Sequence, residues 1–298
     1  MRIFVTGATG FIGSAVVQEL LGAGHQVLGL ARNEAAVKAL AAVGAEAHQG
    51  SLDDLDSLQR GAAASDGVIH TAFVHDFSDY PGACATDLRA IEAIGAALVG
   101  SGRPFVIASG TALLAPDRIA TENDAADPNS VGAPRVPSEE AALALAAKGI
   151  RSAVVRLPPS VHGEGDHGFV PALISIARST GVSGYIGDGL NRWPAVHRFD
   201  AAQLFRLVME KGVAGTRYHG VAEEGLPVRD IAAVVSRRLN VPLASKSPEE
   251  AASHFGWLAN FLSLNSPASS ALTQQQLGWR PSYPGLLTDL DQASYFEN

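Results

Sequence analysis

The sequence predicts an α/β fold: a doubly wound parallel sheet that carries a smaller, mostly helical C-terminal lobe. Three observations lead there. Through the first 160 residues, short β-branched runs alternate with Ala/Leu-rich helical stretches, the βαβ order of a parallel sheet. Several strands are solidly apolar rather than alternating, as in Val68-Ile69 and Phe105-Val106-Ile107, the mark of strands covered on both faces. After Leu157 the alternation gives way to Gly-, Pro- and His-rich turns and short helical segments.

In chain order, strands are expected at Ile3–Thr6, Gln26–Leu30, Glu46–Gln49, Gly67–His70, Pro104–Ala108 and Ser152–Arg156. Helical periodicity lies between them at Phe11–Ala23, Glu34–Val43, Leu55–Arg60, Ala85–Gly100 and Ser138–Lys148. Pro158-Pro159 stops the sixth strand, and the turn-rich loop Ser160–Gly168 follows. Then come a helix near Phe169–Ser179, a hairpin-like stretch at Gly181–Gly189, and a strand and helix near Ala195–Met209. The boundary is placed at 160/161, with residues 1–160 as the sheet domain and 161–298 as the second lobe. A strand and helix near 194–222 are expected to return to the first domain. The lobe would then roof a ligand cleft at the C-terminal edge of the sheet.

Composition narrows the function. With 47% hydrophobic and 17% charged residues, the chain can bury a sizeable core. The net charge of −8 repels phosphate backbones and anionic headgroups, so neither nucleic acid nor membrane is an expected partner. A single cysteine, Cys84, leaves no intramolecular disulfide and no zinc site built on paired cysteines. No apolar run reaches the ~18 residues of a membrane span, and a strand starting at Arg2 leaves no room for a leader. A cytoplasmic protein acting on a small molecule is the expectation.

The most specific motif is Val5-Thr6-Gly7-Ala8-Thr9-Gly10-Phe11-Ile12-Gly13, which leaves an apolar strand and opens an amphipathic helix. Gly7 permits a tight turn, Gly10 lets the backbone approach a pyrophosphate, and Gly13 lets the helix sit close to the sheet. With Thr9, Phe11 and Ile12 they form a Rossmann-type dinucleotide loop. An NAD site needs a carboxylate at the end of the second strand, where this chain has Arg32. A guanidinium there suits a 2′-phosphate, so NADP(H) is expected over NAD(H).

The whole motif series resembles extended short-chain dehydrogenase/reductases. The likeness rests on the glycine spacing, Val68-Ile69-His70-Thr71-Ala72, Arg156-Leu157-Pro158-Pro159-Ser160-Val161-His162-Gly163, Gly187-Asp188-Gly189, Val196-His197-Arg198-Phe199-Asp200 and Leu277-Gly278-Trp279-Arg280-Pro281, in that order. It implies a cofactor lined by Thr71, Ala72, Phe73, Ser109, Gly110, Leu157, Pro158 and Val161, with Ser51 and Leu52 beside the adenine. It also implies a homodimer through the helices at 85–100 and 138–148. The stretch Ala141–Ala147 has no polar residue, and a helix apolar all round needs a second partner besides the sheet.

The resemblance breaks at the chemistry. The family uses a Tyr-x-x-x-Lys pair, and none of the five tyrosines has a lysine four positions on. Alignment places Arg135 at the tyrosine position and Glu139 at the lysine position. The chain therefore resembles the atypical members that keep the cofactor loop and lose the pair. An arginine is a poor general acid but can bond a developing alkoxide. Thr111 falls near the family's substrate-orienting hydroxyl. Of the remaining groups expected near the nicotinamide, His162 alone both donates a proton and titrates near pH 7, which makes it the expected acid. His75, His167 and His197 are further cleft histidines, and Trp193, Phe169 and Leu113 are candidates for an apolar pocket. His162-x-Glu164-x-Asp166-His167 lacks helical ligand spacing, so no metal is expected.

The reading is an NADP-dependent oxidoreductase working on a carbonyl, alcohol or conjugated alkene. Two alternatives stand beside it. One is a nucleotide-sugar epimerase or dehydratase, for which Arg192 stands one place off the usual arginine. The other is a sensor that binds NADP(H) without catalysis, which the missing pair would explain.

Overall fold

The computed structural model describes residues 1–297. Its first half reads β1 (Arg2–Thr6), α1 (Phe11–Gly22), β2 (Gln26–Ala31), α2 (Glu34–Ala42), β3 (Glu46–Gln49), α3 (Leu55–Ala63), β4 (Gly67–His70), α4 (Tyr80–Leu98), β5 (Pro104–Gly110), α5 (Val136–Ala144) and β6 (Arg151–Leu157). Then follow β7 (Ser160–His162), α6 (Phe169–Thr180), β8 (Ser183–Ile186), β9 (Arg192–His197), α7 (Arg198–Lys211), β10 (Thr216–His219), β11 (Glu223–Pro227), α8 (Val228–Leu239), β12 (Leu243–Lys246) and α9 (Pro248–Phe255). The short helices α10 (Ala259–Leu262), α11 (Ala271–Leu277) and α12 (Leu286–Leu290) follow.

Seven parallel strands form the main sheet in the order β10-β6-β5-β4-β1-β2-β3. The chain winds outward from β1 to β3, then crosses back to β4 on the other side of β1. That reversal opens a crevice at the C-terminal ends of β1 and β4, where ligands of such sheets bind. Side chains of β1 alternate between two cores. Ile3 and Val5 join α1 and α7 residues such as Val16, Leu20 and Phe205, whereas Phe4 joins Leu58, Ile91 and Leu98 from α3 and α4.

The second lobe has its own core of Val170, Ile174, Trp193, Ile231, Phe255 and Leu286. Its three-stranded sheet, β11-β9-β7, lies apart from the main sheet, while α7 packs on α1 and β10 pairs with β6. No hairpin forms at Gly181–Gly189: β8 pairs in parallel with β12, some sixty residues away in sequence. The Gly187-Asp188-Gly189 turn is real, but the strand after it, β9, pairs with β7 and β11 instead. Helix α4 starts five residues earlier than its apolar period suggests, because Asp79 caps it through Gly82 N (3.1 Å) and Pro81 suits a first turn. No helix among the described residues is long and apolar enough to cross a membrane.

Candidate functional site

The loop from β1 into α1 is built for close approach. Gly7 has φ of +68°, and a Cβ there would stand 2.7 Å from Ala72 N. Gly10 N donates to Gly7 O at 2.8 Å, closing the turn. Helix α1 begins at Phe11 with no side-chain cap and no acidic residue in its first turn, so its N–H groups and positive end are open to an anion. Thr71 Oγ1 donates to Thr6 O (2.8 Å) and Ala72 N to Thr6 Oγ1 (3.3 Å), tying the segment after β4 against the loop. These features fit a dinucleotide diphosphate. Arg32 is exposed just past β2 and has no ion-pair partner among the described residues, while Asn33 beside it caps α2 through Ala36 N. Ser51 and Leu52 follow β3, the neighbour of β2, and are half-buried. Ser109 and Gly110 face Arg156 and Leu157 across the β5–β6 pair, with Pro158 and Val161 just beyond.

Behind the cleft runs a buried chain of polar groups. Thr6 Oγ1 lies 2.8 Å from His70 Nδ1, and His70 Nε2 lies 3.1 Å from Asp87 Oδ1. One set of hydrogens serves the chain: the Thr6 hydroxyl donates to Nδ1 and the Nε2–H to Asp87. Arg135 Nε donates to the other Asp87 oxygen (3.3 Å), and its Nη2 donates to Ala108 O (2.9 Å). The guanidinium also lies over the Phe73 ring, 4.2 Å from its centroid. His70 and Asp87 are closed to solvent, whereas the Arg135 side chain is 15% exposed. Burial opposes ionisation of Asp87, but Arg135 and His70 outweigh it and hold its carboxyl below the usual range. Phe73 also meets His75 edge-on, and burial, Arg135 and His167 together push that imidazole down. Thr111 is buried beside the end of β5, and its hydroxyl has no hydrogen-bond partner.

Glu139, at the position of the missing lysine, belongs to a second cluster. Its Oε2 accepts from Ser109 Oγ (2.9 Å) and Arg156 Nε (3.0 Å), and its Oε1 from Arg217 Nε (3.0 Å) and Arg156 Nη2. Burial raises its carboxyl, but the Arg156 bonds more than offset this and leave it lowered. Arg156 reaches on to Asp124 O (2.8 Å), fastening the loop between β5 and α5 over the sheet.

His162 lies on β7, in the stretch where the sequence suggests a turn-rich loop. Strand β7 pairs with β9 of the second lobe, and His162 is 1% exposed with Nδ1 on Asp289 Oδ2 at 2.8 Å. Tyr295 OH donates to the same carboxylate (3.2 Å) and accepts from Gly163 N (2.9 Å). His197 packs edge-on against His162 and stacks on Tyr283, and burial drives it down to about 4. Asp166, in the loop above, is pushed up to about 6 by burial. Trp193 and Leu113 are buried, and Phe169 meets Trp257 and Phe261 at a tilt.

The polar chain behind Arg135 escaped the sequence reading, although a histidine inside the apolar run Val68-Ile69-His70 was its one visible signal. Asp87, Asp289 and Tyr295 had none, because their partners lie far along the chain.

A family model for the NAD-dependent epimerase/dehydratase family matches residues 3–220. The chain belongs to that family. Members bind a nicotinamide cofactor, and the glycine loop is where the motif order puts it. The uncharacterized protein C2A9.02 of Schizosaccharomyces pombe is 53% identical over 297 residues, covering 99% of this chain and all of that one. A 4-hydroxy-2-methyl-3-oxo-4-farnesyl-3,4-dihydroquinoline-1-oxide ketoreductase of Stigmatella aurantiaca is 28% identical over 236 residues, 76% of this chain and 70% of its own. Among solved structures, the dTDP-glucose 4,6-dehydratase DesIV of Streptomyces venezuelae, with NAD and TYD bound, superposes with a TM-score of 0.81 at 23% identity, covering 100% of this chain and 98% of its own. That likeness speaks for the shared fold.

Proposed function

We propose that this family member is an NADP(H)-dependent oxidoreductase acting on a carbonyl, alcohol or conjugated alkene of a small organic substrate. The reading rests on one juxtaposition: a complete dinucleotide loop next to a guanidinium held in the place of the family's phenol. The cofactor, when bound, gives or takes hydride at the nicotinamide. Arg32 binds the 2′-phosphate, and Gly7–Gly13 with Thr71, Ala72, Ser109, Leu157 and Val161 hold the rest. Arg135 offers only guanidinium N–H donors, so it bonds a negative oxygen without protonating it. Asp87 and His70 set its direction. The Thr111 hydroxyl, buried without a partner, is the second donor for that oxygen, since an unpaired buried hydroxyl costs about 1–3 kcal/mol that a ligand restores. His162, sealed against Asp289, is a positioning residue of the second lobe, and proton supply passes to the exposed side of the cleft near His75 and His167.

Calorimetry with NADPH and NADH, followed by nicotinamide absorbance with a panel of ketones, aldehydes and conjugated enones, tests the reading. Expected are tighter NADPH binding and turnover with at least one class. NADPH binding with no turnover across the panel would favour a sensor, and nucleotide sugar retained on native purification would favour an epimerase.

A further inference from the structure

Arg198, the first residue of α7, stands where a cation is least welcome. A helix N-terminus carries the positive end of the peptide dipoles, so arginine in that position raises the local energy. Its guanidinium also approaches a second such end, since its carbon lies 5.1 Å from the ring centroid of Phe11, the first residue of α1. No carboxylate among the described residues pairs with it. Asp200, in the first turn of α7, spends both oxygens on Ser282 N (2.9 Å) and Tyr283 N (3.1 Å). Arg198 is held between the rings of Phe11 and Phe199 (4.8 Å), and Nη1 donates to Glu164 O (2.9 Å). Its Nε is buried and has no acceptor.

The loop after β7 is shaped around this side chain. Gly163 has φ of +138°, and a Cβ there would stand 3.2 Å from Arg198 Cγ and Cδ and 3.1 Å from His197 Nε2. His167, at the far end of the loop, meets Phe11 edge-on at 5.8 Å. Helix α7 and the loop after β7 thus bring one unneutralised cation and a histidine onto the mouth of the glycine loop. An arginine that costs stability at two helix ends, with an unused donor, marks a place where an anion completes the structure.

We infer that Arg198 is a diphosphate ligand supplied by the first turn of α7, closing over the dinucleotide from the side opposite the glycine loop. The inference rests on the dinucleotide reading above, and it makes cofactor affinity depend on α7 as well as on the glycine loop. Arg198 reads the diphosphate common to all nicotinamide dinucleotides, whereas Arg32 reads only the 2′-phosphate.

The test is binding of NADPH, NADH, ADP-ribose and 5′-AMP to the wild type, Arg198→Gln and Arg198→Lys, by calorimetry and by ligand-induced shift in melting temperature. Arg198→Gln should bind NADPH, NADH and ADP-ribose about ten- to a hundredfold more weakly, the loss of one hydrogen bond to a charged group. Arg198→Lys, which keeps the charge without the fork, should fall between. Affinity for 5′-AMP, which has no diphosphate, should change little. The melting temperature of Arg198→Gln without ligand should hold or rise while the ligand-induced shift shrinks. Unchanged affinity for all three diphosphates in Arg198→Gln overturns the inference and leaves the cofactor reading standing. Equal losses for 5′-AMP and the diphosphates, with a lower ligand-free melting temperature, would make Arg198 a packing residue and overturn it too. If the wild type binds none of the dinucleotides, the cofactor reading itself fails and takes this one with it.

Discussion

Arg135 and Glu139, which the resemblance aligns with the family's phenol and amine, lie four positions apart, and each is absorbed into its own buried network. Glu139 neutralises Arg156, which is closed to solvent, and Arg217 as well. Returning it to the family's residue by Glu139→Lys would set three cations together. Glu139→Gln alone should cost about 3–5 kcal/mol, because Arg156 is left buried and uncompensated, and Glu139→Lys should cost more or prevent folding. Urea denaturation measures the first, and a stable, soluble Glu139→Lys protein would contradict the charge argument. Arg32 is the opposite case, exposed and without an ion-pair partner among the described residues. Arg32→Ala should leave stability within about 0.5 kcal/mol and weaken NADPH by about 1.5–3 kcal/mol, with NADH unaffected. Equal calorimetric losses for both cofactors would mean that Arg32 only supports its loop.

Among the elements, the loop from Gly163 to Gly168 ties stability to pH through Asp166. Asp166 in that loop titrates at about 6 in the folded chain and near 3.9 when unfolded. Between those values the folded chain keeps a proton that the unfolded chain has lost. Stability therefore falls as pH rises through this window, and the cost is complete above pH 6. Asp166→Asn removes the charge yet still accepts from Gly168 N, as the carboxylate does at 2.7 Å. At pH 7 the variant should be more stable by about 1–3 kcal/mol, and at pH 3 the two proteins should match. Urea midpoints at both values check the sign. A variant equally stabilised at pH 3 and pH 7 would remove ionisation as the cause.

For the whole molecule, the unpartnered surface lies between α4 and α5. Ile91, Ala96, Val99, Ala141, Ala144 and Leu145 line a shallow groove there, flanked by Glu92 and Lys148, and Val99 is 56% exposed. The two helices are small-residue-rich on this side, which lets a second copy approach closely. We propose a two-fold dimer through them. Light scattering at micromolar concentration should give twice the chain mass, and Ala96→Arg with Ala144→Arg should give a monomer that still folds. A wild-type monomer under those conditions would exclude the assembly.

The sequence by itself determined whatever is local or periodic. Apolar runs marked the inner strands to within a residue or two, since burial on both faces leaves little room for polar side chains, whereas the polar edge strand β3 was placed by its position in the βαβ alternation. Gly7, Gly10 and Gly13 marked the dinucleotide loop, because a turn with φ of +68° beneath a packed neighbour admits little else. The missing Tyr-x-x-x-Lys pair was visible by counting. Tertiary structure decided which polar groups meet. Arg135 finds Asp87 across 48 positions and His162 finds Asp289 across 127. Strand periodicity assigns a side chain to a face but does not say what lies opposite. His162 was therefore legible only as a histidine in the turn-rich stretch after β6; its place on β7, buried and bonded to Asp289, follows from the pairing of β7 with β9, which the sequence does not announce. The pairing of β8 with β12 was hidden for the same reason: a four-residue strand carries its alternation in sequence, while its partner is chosen only when the chain closes on itself.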